Sequence, residues 1–276
     1  MKAFTVTMHI AGRTFPLLLR NRDTKLLLDG FISGEEAETA GSSQCSCEPE
    51  SSVIALSGPN EDALSPEFSS DKAPEMKETV VPSMELIRYF EDHDGLSFPA
   101  AEYYACTSAV SDALLPRGCI FHGAAFRLRG KAYLFTGVSG VGKSTQLKNW
   151  MKGFPGEIGV INGDKPALSC DDSGTITVYP SPWTGKENMH GADAAPLAVI
   201  ICLKQGPENK VVRGQLKDIV PFLYNRVFAD VNTREDAERV GAFTEALIKA
   251  TPVFVMTNRG DMDSTAMIRQ TLLEET

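Results

Sequence analysis

The stretch LFTGVSGVGKSTQLKNW, residues 134–150, joins a short apolar run to a glycine-rich turn and then to a segment of helical character. Gly137 is followed after four residues by Gly142, Lys143 and Ser144, a spacing that fits GxxxxGK[ST]. Glycines let the backbone curl until several amides face one anion, and the following helix adds the positive end of its dipole. The stretch therefore predicts a strand, a phosphate-binding loop and a helix.

Each residue of this loop has an expected role. Backbone amides and the lysine would surround the phosphates of a nucleotide, and the serine hydroxyl would hold Mg²⁺. The predicted nucleotide-binding residues are Gly137, Ser139, Gly140, Val141, Gly142, Lys143, Ser144 and Thr145. The competing interpretation is a flexible glycine-rich turn, but the apolar run before the loop and the helical segment after it favour phosphate binding.

The composition of this 276-residue chain is that of a soluble globular protein, since 42% of its residues are hydrophobic. No apolar run reaches the roughly 18 residues of a membrane helix, and residues 1–20 alternate instead of forming the apolar block of a signal peptide. The six cysteines are scattered without a CxxC pair; Cys45 and Cys47 could bind a metal, although exposed thiols are the simpler interpretation. We expect a reduced, cytoplasmic protein with no membrane partner.

The net charge of −9 is concentrated in one segment, because residues 31–80 contain eleven Asp or Glu and only two Lys. No basic block of the kind that grips a nucleic-acid backbone occurs, so we expect no DNA or RNA partner. Residues 33–83 are also rich in Ser, Glu and Pro. They predict a flexible acidic insertion, with an acidic recognition segment as the alternative.

Two further regions flank this insertion. Within residues 1–32, the alternating run FTVTMHI, a break at AGR and the run TFPLLL predict a β-hairpin. We expect part of residues 80–98 to complete this small N-terminal β-rich unit. Residues 99–276 form the predicted main domain.

The main domain alternates predicted strands and helices, which indicates an α/β fold. Strands are expected at CIFHGAAFRL, KAYLFTG, EIGVIN, TITVYP, LAVIICL and PVFVMT, and helices at AAEYYACTSAVSDALL, REDAERVGAFTEALIKA and DSTAMIRQTLLEE. The last strands are too apolar for a sheet with one solvent-exposed face, so both faces should be covered.

Three more stretches carry candidate functional residues. In NGDKP, Asp164 follows Lys143 by about 20 residues and could hold Mg²⁺ or accept a proton, although NGD is also good turn chemistry. In FHGAAF, His122 would lie on the strand paired before the loop, where a buried core histidine is the commoner outcome. In PWTGK, Lys186 near phosphates would neutralise developing charge.

The order of these stretches resembles the HPr kinase/phosphorylase-like proteins, whose nucleotide domain is shared with phosphoenolpyruvate carboxykinase. The resemblance covers roughly residues 100–257, and it rests on FHGAAFRLRGKAYLFTGVSGVGKSTQLKNW, VINGDKPAL and VYPSPWTGK. In that family a His-Gly pair precedes the loop and an acidic pair ends the next strand; His122, Gly123, residues 139–144 and Asp164 match these places. Gly163 departs from the pattern, because it occupies the place of the first of two adjacent aspartates.

The resemblance implies a P-loop nucleotide-binding domain of the HPr kinase/phosphoenolpyruvate carboxykinase type. It also implies an ATP-dependent phosphotransferase that transfers the γ-phosphate to a hydroxyl, in the first instance a serine of a protein or peptide. The candidate catalytic residues are Asp164, His122 and Lys143, and the candidate Mg²⁺ ligands are Ser144 and Asp164. Lys186 is a further candidate contact to ATP.

Two other functions stay open at the level of the sequence. The first is a small-metabolite kinase, whose lid over the phosphates would use Arg213, Arg226, Arg234 and Arg239. The second is a nucleotide-binding regulatory or accessory protein with weak turnover, which the glycine at position 163 motivates. The sequence names neither the phosphate acceptor nor whether the chain forms a homo-oligomer.

Overall fold

The computed structural model describes residues 3–37, 78–191 and 193–275, which form a mixed α/β fold. The strands of the described residues are β1 (Phe4–Ile10), β2 (Arg13–Leu19), β3 (Ile32–Ala37), β4 (Gly118–Ile120), β5 (Gly123–Leu128), β6 (Lys131–Thr136), β7 (Ile158–Asn162), β8 (Ala167–Cys170), β9 (Ile176–Tyr179), β10 (Ala195–Gln205), β11 (Lys210–Arg213) and β12 (Val253–Asn258). The helices are α1 (Arg22–Leu27), α2 (Met84–Asp94), α3 (Phe98–Leu114), α4 (Lys143–Gly153), α5 (Leu216–Tyr224), α6 (Arg234–Ala250) and α7 (Met262–Glu275). None of these helices combines the length and the apolar character needed to cross a membrane.

The N-terminal hairpin is confirmed. β1 and β2 pair antiparallel, with Ile10 opposite Arg13 next to the turn. Ala11 and Gly12 have φ angles of 53° and 71°, the left-handed conformation that a two-residue hairpin turn needs at both central positions. The buried and partly exposed residues of β1 alternate along the strand, because successive side chains point to opposite faces of the sheet.

The N-terminal sheet extends into both ends of the predicted insertion. β3 pairs antiparallel with β1, which gives a three-stranded sheet in the order β2-β1-β3. At the other end, Val80 accepts a hydrogen bond from the amide of Leu18 at 2.9 Å and donates its own amide to the carbonyl of Pro16 at 2.8 Å. The sheet therefore uses residues 33–37 and Val80, and residues 38–77 of the predicted insertion lie outside the described residues.

α3 joins the N-terminal sheet to the main domain. Glu102 on this helix is fully buried, and its carboxylate accepts hydrogen bonds from the amide of Arg20 at 2.7 Å and the hydroxyl of Thr24 at 2.8 Å. The side chains of the N-terminal sheet share one hydrophobic cluster with Val110 of α3 and with Trp183. The N-terminal unit therefore has no core separate from that of the main domain.

The second sheet of the described residues is mixed, with the order β4-β8-β9-β10-β6-β5-β7 and with β12 also paired to β10. β6 and β12 both run parallel to β10. Both faces are covered, as the apolar strands predict. On β10, Ile200 belongs to one hydrophobic cluster, whereas its neighbours Val199 and Ile201 belong to the cluster on the opposite face.

The sheet brings the ends of β6 and β7 to one edge. β5 lies between these two strands and is antiparallel to both, so β6 and β7 run in the same direction but are not adjacent. His122 lies in a bend between β4 and β5, directly before the first residue of β5, and not on a strand as the sequence predicts. Because β5 begins at the edge where β6 and β7 end, His122 lies beside both strand ends.

Candidate functional site

The glycine loop, residues 137–142, leads from the end of β6 to the start of α4. Gly140 and Gly142 have φ angles of 76° and 105°, a region of backbone conformation that other residues rarely adopt. A Cβ atom at Gly137 would lie 2.5 Å from a methyl carbon of Val141 and 3.1 Å from the carbonyl oxygen of Leu203. The loop therefore needs glycine twice for its dihedral angles and once for close packing.

Lys143 is the first residue of α4, and its side chain folds back over the glycine loop. Its ammonium donates hydrogen bonds to the carbonyl oxygens of Gly137 at 3.3 Å and Val138 at 3.4 Å. Burial is the largest cause that lowers the pKa of Lys143; Asp164 opposes that shift, while Arg226 and Lys165 add to it. The lysine thus lies at the helix N-terminus, where its charge and the helix dipole both favour an anion.

The turn after β7 is held by a buried asparagine. The side-chain oxygen of Asn162 accepts hydrogen bonds from the backbone amides of Asp164 at 2.9 Å and Lys165 at 2.8 Å, which forms an Asx turn. Its side-chain amide donates to the carbonyl and the hydroxyl of Ser181, at 3.0 and 3.1 Å. NGD therefore forms a turn, which is one of the two interpretations that the sequence allows. The turn places Asp164 at the edge of the sheet.

Asp164 lies between two basic side chains. Its Oδ2 atom is 2.5 Å from the ammonium of Lys165, and its Oδ1 atom is 3.7 Å from Nε2 of His122. The backbone carbonyl of Asp164 also accepts a hydrogen bond from the amide of Gly123 at 2.9 Å, which ties this turn to the start of β5. A quarter of the Asp164 side chain is exposed, so the carboxylate remains accessible from the cleft.

His122 is held through its backbone beside the loop. Its amide donates to the carbonyl of Arg226 at 2.7 Å, and its carbonyl accepts from the hydroxyl of Thr136 at 2.8 Å. Burial, followed by the charge of Lys143, lowers the pKa of His122 to about 4, although Asp164 acts in the opposite direction. The imidazole is therefore neutral at neutral pH; its free ring nitrogen can act as an acceptor, but the lowered pKa makes it a weaker base than an ordinary histidine.

The segment after β9 closes the cleft from the opposite side. Gly185 has a φ angle of 72°, and a Cβ atom there would lie 2.9 Å from the Cβ of Asp164. Lys186 is exposed and lines the cleft. Its neighbour Glu187 forms an ion pair with Lys148 of α4 at 2.8 Å, which connects this segment to the helix behind the glycine loop.

These elements enclose a cleft of about 450 Å³. Its lining residues are Tyr104, His122, Ser139, Gly140, Gly142, Lys143, Ser144, Thr145, Gly163, Asp164, Thr184, Gly185, Lys186 and Glu187. Two residues predicted to bind nucleotide are not part of this lining: Gly137 packs beneath the loop, and Val141 belongs to the hydrophobic core. The other residues predicted to bind nucleotide or metal or to act in catalysis line this cleft.

Some lining residues carry no signal in the sequence. Tyr104 comes from α3, far from the glycine loop along the chain, and only tertiary packing brings it to the cleft. Lys165 is outside this lining; its place directly after Asp164 is visible in NGDKP, whereas its contact with the carboxylate depends on the fold of the turn. Thr184 and Glu187 follow Trp183, which is buried and donates its indole N–H to the carbonyl of Tyr103 at 2.9 Å.

Gly163, where the sequence departs from the paired-aspartate pattern, is closely packed. A Cβ atom at Gly163 would lie 3.1 Å from the carbonyl oxygen of Met189 and 3.3 Å from that of Thr184. The amide of Gly163 donates to the Met189 carbonyl at 2.8 Å, which holds the two segments together. A carboxylate side chain at position 163 would therefore require this neighbouring segment to move.

The donors around the cleft fit a metal ion bound together with phosphates. Among the described residues, no group of three or more His, Cys, Asp or Glu side chains is arranged to hold a metal ion alone. Asp164 and Ser144 line the cleft and offer one carboxylate and one hydroxyl. Mg²⁺ is commonly held by one or two carboxylates together with phosphate oxygens, so this donor set fits a metal–nucleotide complex.

Of the four arginines considered for a lid, Arg226 is the one placed at the glycine loop. Its guanidinium donates to the Gly137 carbonyl at 3.5 Å. The guanidinium of Arg213 lies over the ring of Phe254, and that of Arg239 donates to carbonyl oxygens near the end of α3. Arg234 pairs with Glu238 on α6.

Comparisons with known proteins give little additional information. No protein-family model matches the chain, and no curated protein matches it. A solved structure that does match is that of the Hpr(Ser) kinase/phosphatase from Coxiella burnetii, with a TM-score of 0.30 and 11% sequence identity. The match covers 56% of this chain and 88% of that one. A likeness at this level does not establish a common function.

Proposed function

We propose that this protein is an ATP-dependent phosphotransferase of the HPr-kinase-like type, which transfers the γ-phosphate of ATP to a hydroxyl group. The observation that carries the proposal is the meeting of the glycine loop, Lys143 and Asp164 at one cleft. A phosphate-binding loop alone indicates a nucleotide, whereas transfer also needs a group that positions or activates the acceptor. Asp164 and His122 are candidates for that second part.

In the proposed reaction, the backbone amides of the glycine loop and the ammonium of Lys143 hold the phosphates. Ser144 and Asp164 would hold Mg²⁺, which supplies positive charge to the phosphate oxygens when bound. The acceptor oxygen forms a bond to the γ-phosphorus, the bond between that phosphorus and the β–γ bridging oxygen breaks, and ADP leaves. The proton of the acceptor hydroxyl passes to Asp164 or to the neutral imidazole of His122.

A serine of a protein or peptide is the acceptor that we propose first. A small metabolite is the alternative, but only Arg226 of the four arginines considered for its lid lies at the glycine loop. Apart from Tyr104 and His122, the cleft is lined by backbone and by short or charged side chains, and these support the phosphate end of the reaction without naming the acceptor. A screen of hydroxyl acceptors with radiolabelled ATP distinguishes the two classes.

A nucleotide-binding accessory protein with weak turnover is the second candidate. Two observations favour it: Lys165 already neutralises Asp164, and the backbone around Gly163 is crowded where a second carboxylate would stand. Such a protein would bind ATP without releasing ADP in response to any acceptor.

The Asp164→Asn variant separates these proposals. Phosphoryl transfer depends on positioning and charge, so this change should reduce ATP turnover at least about a hundredfold while ATP affinity stays within about tenfold. His122→Ala should reduce ATP turnover less than Asp164→Asn does, because a group that only accepts a proton contributes less to the rate than one that also binds the metal. Asp172→Asn, at an exposed carboxylate paired with Arg117, is the matched control.

On the purified proteins, ADP release measures ATP turnover, and ATP titration measures ATP affinity. Turnover of Asp164→Asn at the wild-type rate would remove Asp164 from the chemistry and leave the accessory protein as the better proposal. The absence of ATP binding by the wild-type protein would contradict both.

A further inference from the structure

Lys165 is fixed more firmly than a surface lysine. Only 14% of its side chain is exposed, and its ammonium lies 5.5 Å from the ring centroids of both Tyr104 and Phe228. Its backbone amide donates to Asn162 at 2.8 Å, and its carbonyl accepts from the hydroxyl of Ser181 at 2.5 Å. Both backbone polar atoms and the charged head are therefore held in place.

The contact of Lys165 with Asp164 determines what that carboxylate can bind. Oδ2 is 2.5 Å from the ammonium, so Oδ1, on the side of His122, is the oxygen that another ligand can approach with less competition. An ammonium at this distance also repels a divalent cation that approaches the same carboxylate. Asp164 therefore offers mainly Oδ1 to a cation, and the nearby ammonium of Lys165 makes the potential at that oxygen less favourable for a cation.

The other charged groups of the cleft act in the same direction. Lys143 and Lys186 line it together with Asp164, and the second carboxylate of the lining, Glu187, is paired with Lys148 outside it. Among the described lining residues together with Lys165, three lysines (Lys143, Lys165 and Lys186) therefore accompany one carboxylate, Asp164, that has no partner outside the cleft. A free divalent cation is disfavoured there, whereas a polyphosphate brings enough negative charge to change the balance.

We propose that Lys165 is a positioning residue that reserves one oxygen of Asp164 and prevents the cleft from binding a divalent cation before the nucleotide arrives. This inference rests on the proposed function, because it assigns the order in which the metal and the nucleotide enter that site. The metal enters as its complex with the nucleotide, and its contact with Asp164 is through a single oxygen. A purely structural lysine, held by the two rings, would have no such effect on metal binding.

The test measures metal binding in the absence of nucleotide, with Mn²⁺ as the probe and paramagnetic resonance or calorimetry as the readout. Wild-type protein should show no saturable Mn²⁺ site at low millimolar concentration. Lys165→Met should bind Mn²⁺ at least about tenfold more tightly, because an attractive carboxylate is released and a repelling charge is lost. Lys186→Met, which removes a charge from the same cleft without touching Asp164, should change the affinity less.

Two further variants make the result specific. The double variant Lys165→Met/Asp164→Asn should lose the gained site, since the gain is assigned to the freed carboxylate. Lys165→Arg retains the charge and should keep the site closed to free Mn²⁺. Should Lys165→Met not fold, Lys165→Gln removes the charge with a side chain that can still donate to Asp164, and the same titration applies.

Equal Mn²⁺ affinities of the wild type and Lys165→Met, or a tight site in the wild type, would overturn the inference. The titration contains no ATP, so its outcome can be told apart from that of the kinase assay. A wild-type protein that fails to bind ATP but excludes Mn²⁺ through Lys165 would contradict the kinase and retain the role of the lysine at the carboxylate. If the wild-type protein turns over ATP but Lys165→Met gains no metal site, the kinase proposal is retained and the role proposed for Lys165 is contradicted.

Discussion

The two turns that face each other across the cleft keep their shapes by different means. The glycine loop after β6 depends on its own residues: Gly140 and Gly142 supply the positive φ angles, and Gly137 allows the close approach of Val141. The turn after β7 depends on distant residues, because Asn162 is held by Ser181 and the backbone of Gly163 is bonded to Met189. The shape of the loop proposed to bind phosphate is thus set locally, whereas the turn proposed to position Asp164 is built by the rest of the fold.

The largest effect is expected at the glycine loop. ATP with Mg²⁺ should raise the melting temperature of the wild-type protein, because a ligand bound only by the folded state stabilises it. Lys143→Ala should abolish most of this shift and weaken ATP binding about a hundredfold, since the anion loses its cation at the helix N-terminus. Thermal unfolding with and without ATP measures the shift in melting temperature, and Lys152→Ala at the other end of α4 is the control. Equal shifts for wild type and Lys143→Ala would end the interpretation of the loop as a phosphate site.

A smaller effect, on the stability of the fold, is expected at the turn after β7. Asn162→Ala leaves the partly buried amides of Asp164 and Lys165 without their acceptor, which should lower the free energy of unfolding by about 2 kcal/mol. Asn225→Ala, which removes an exposed bond to Pro221, should cost much less. Denaturant unfolding gives both values. Similar losses for the two variants would mean that the turn does not depend on Asn162.

The contact between Gly185 and Asp164 tests positioning without removing a charge. Gly185→Ala and Gly174→Ala both place a Cβ at a positive φ angle, at 72° and 85°, so backbone strain should cost each about 1 kcal/mol, and the contact with Asp164 should add to the loss in Gly185→Ala. Only at Gly185 does the new atom meet Asp164; around Gly174 there is open space. ATP turnover should therefore fall about tenfold in Gly185→Ala alone. Matched turnover in the two variants would show that the site tolerates a displaced carboxylate.

The last expected effect, which is close to zero at neutral pH, is a pH dependence that involves His122. Its pKa is lowered to about 4 in the folded protein by burial and by Lys143, so the unfolded chain takes up this proton more readily than the folded one. Stability should therefore rise with pH between about 4 and the ordinary histidine pKa of about 6.5. His122→Gln should flatten that part of the profile, measured by unfolding at a series of pH values. An unchanged slope would assign the acid sensitivity to other groups.

Several features of this protein are determined by sequence alone because they depend on neighbours along the chain. The hairpin of β1 and β2, the helix α6 and the order of strand, glycine loop and α4 all follow from alternation, helical spacing or glycine placement, and the structure has them where they are expected. The sequence also shows Asp164 directly before Lys165 in NGDKP, but not the ion pair that they form. Short-range patterns of this kind fix local conformation before any tertiary contact forms.

Tertiary structure alone decided how these pieces meet. The strand β5 inserts between β6 and β7, and its antiparallel pairing brings their ends, together with His122, to one edge. Tyr104 reaches the cleft from α3, and the crowding at Gly163 comes from Met189 and Thr184, neither of which a local pattern can place. The physical reason is that hydrogen bonds between strands and contacts of buried side chains join residues far apart in the chain. The sequence therefore specifies the groups that could hold a phosphate, whereas packing sets which oxygen of Asp164 is left to meet a ligand.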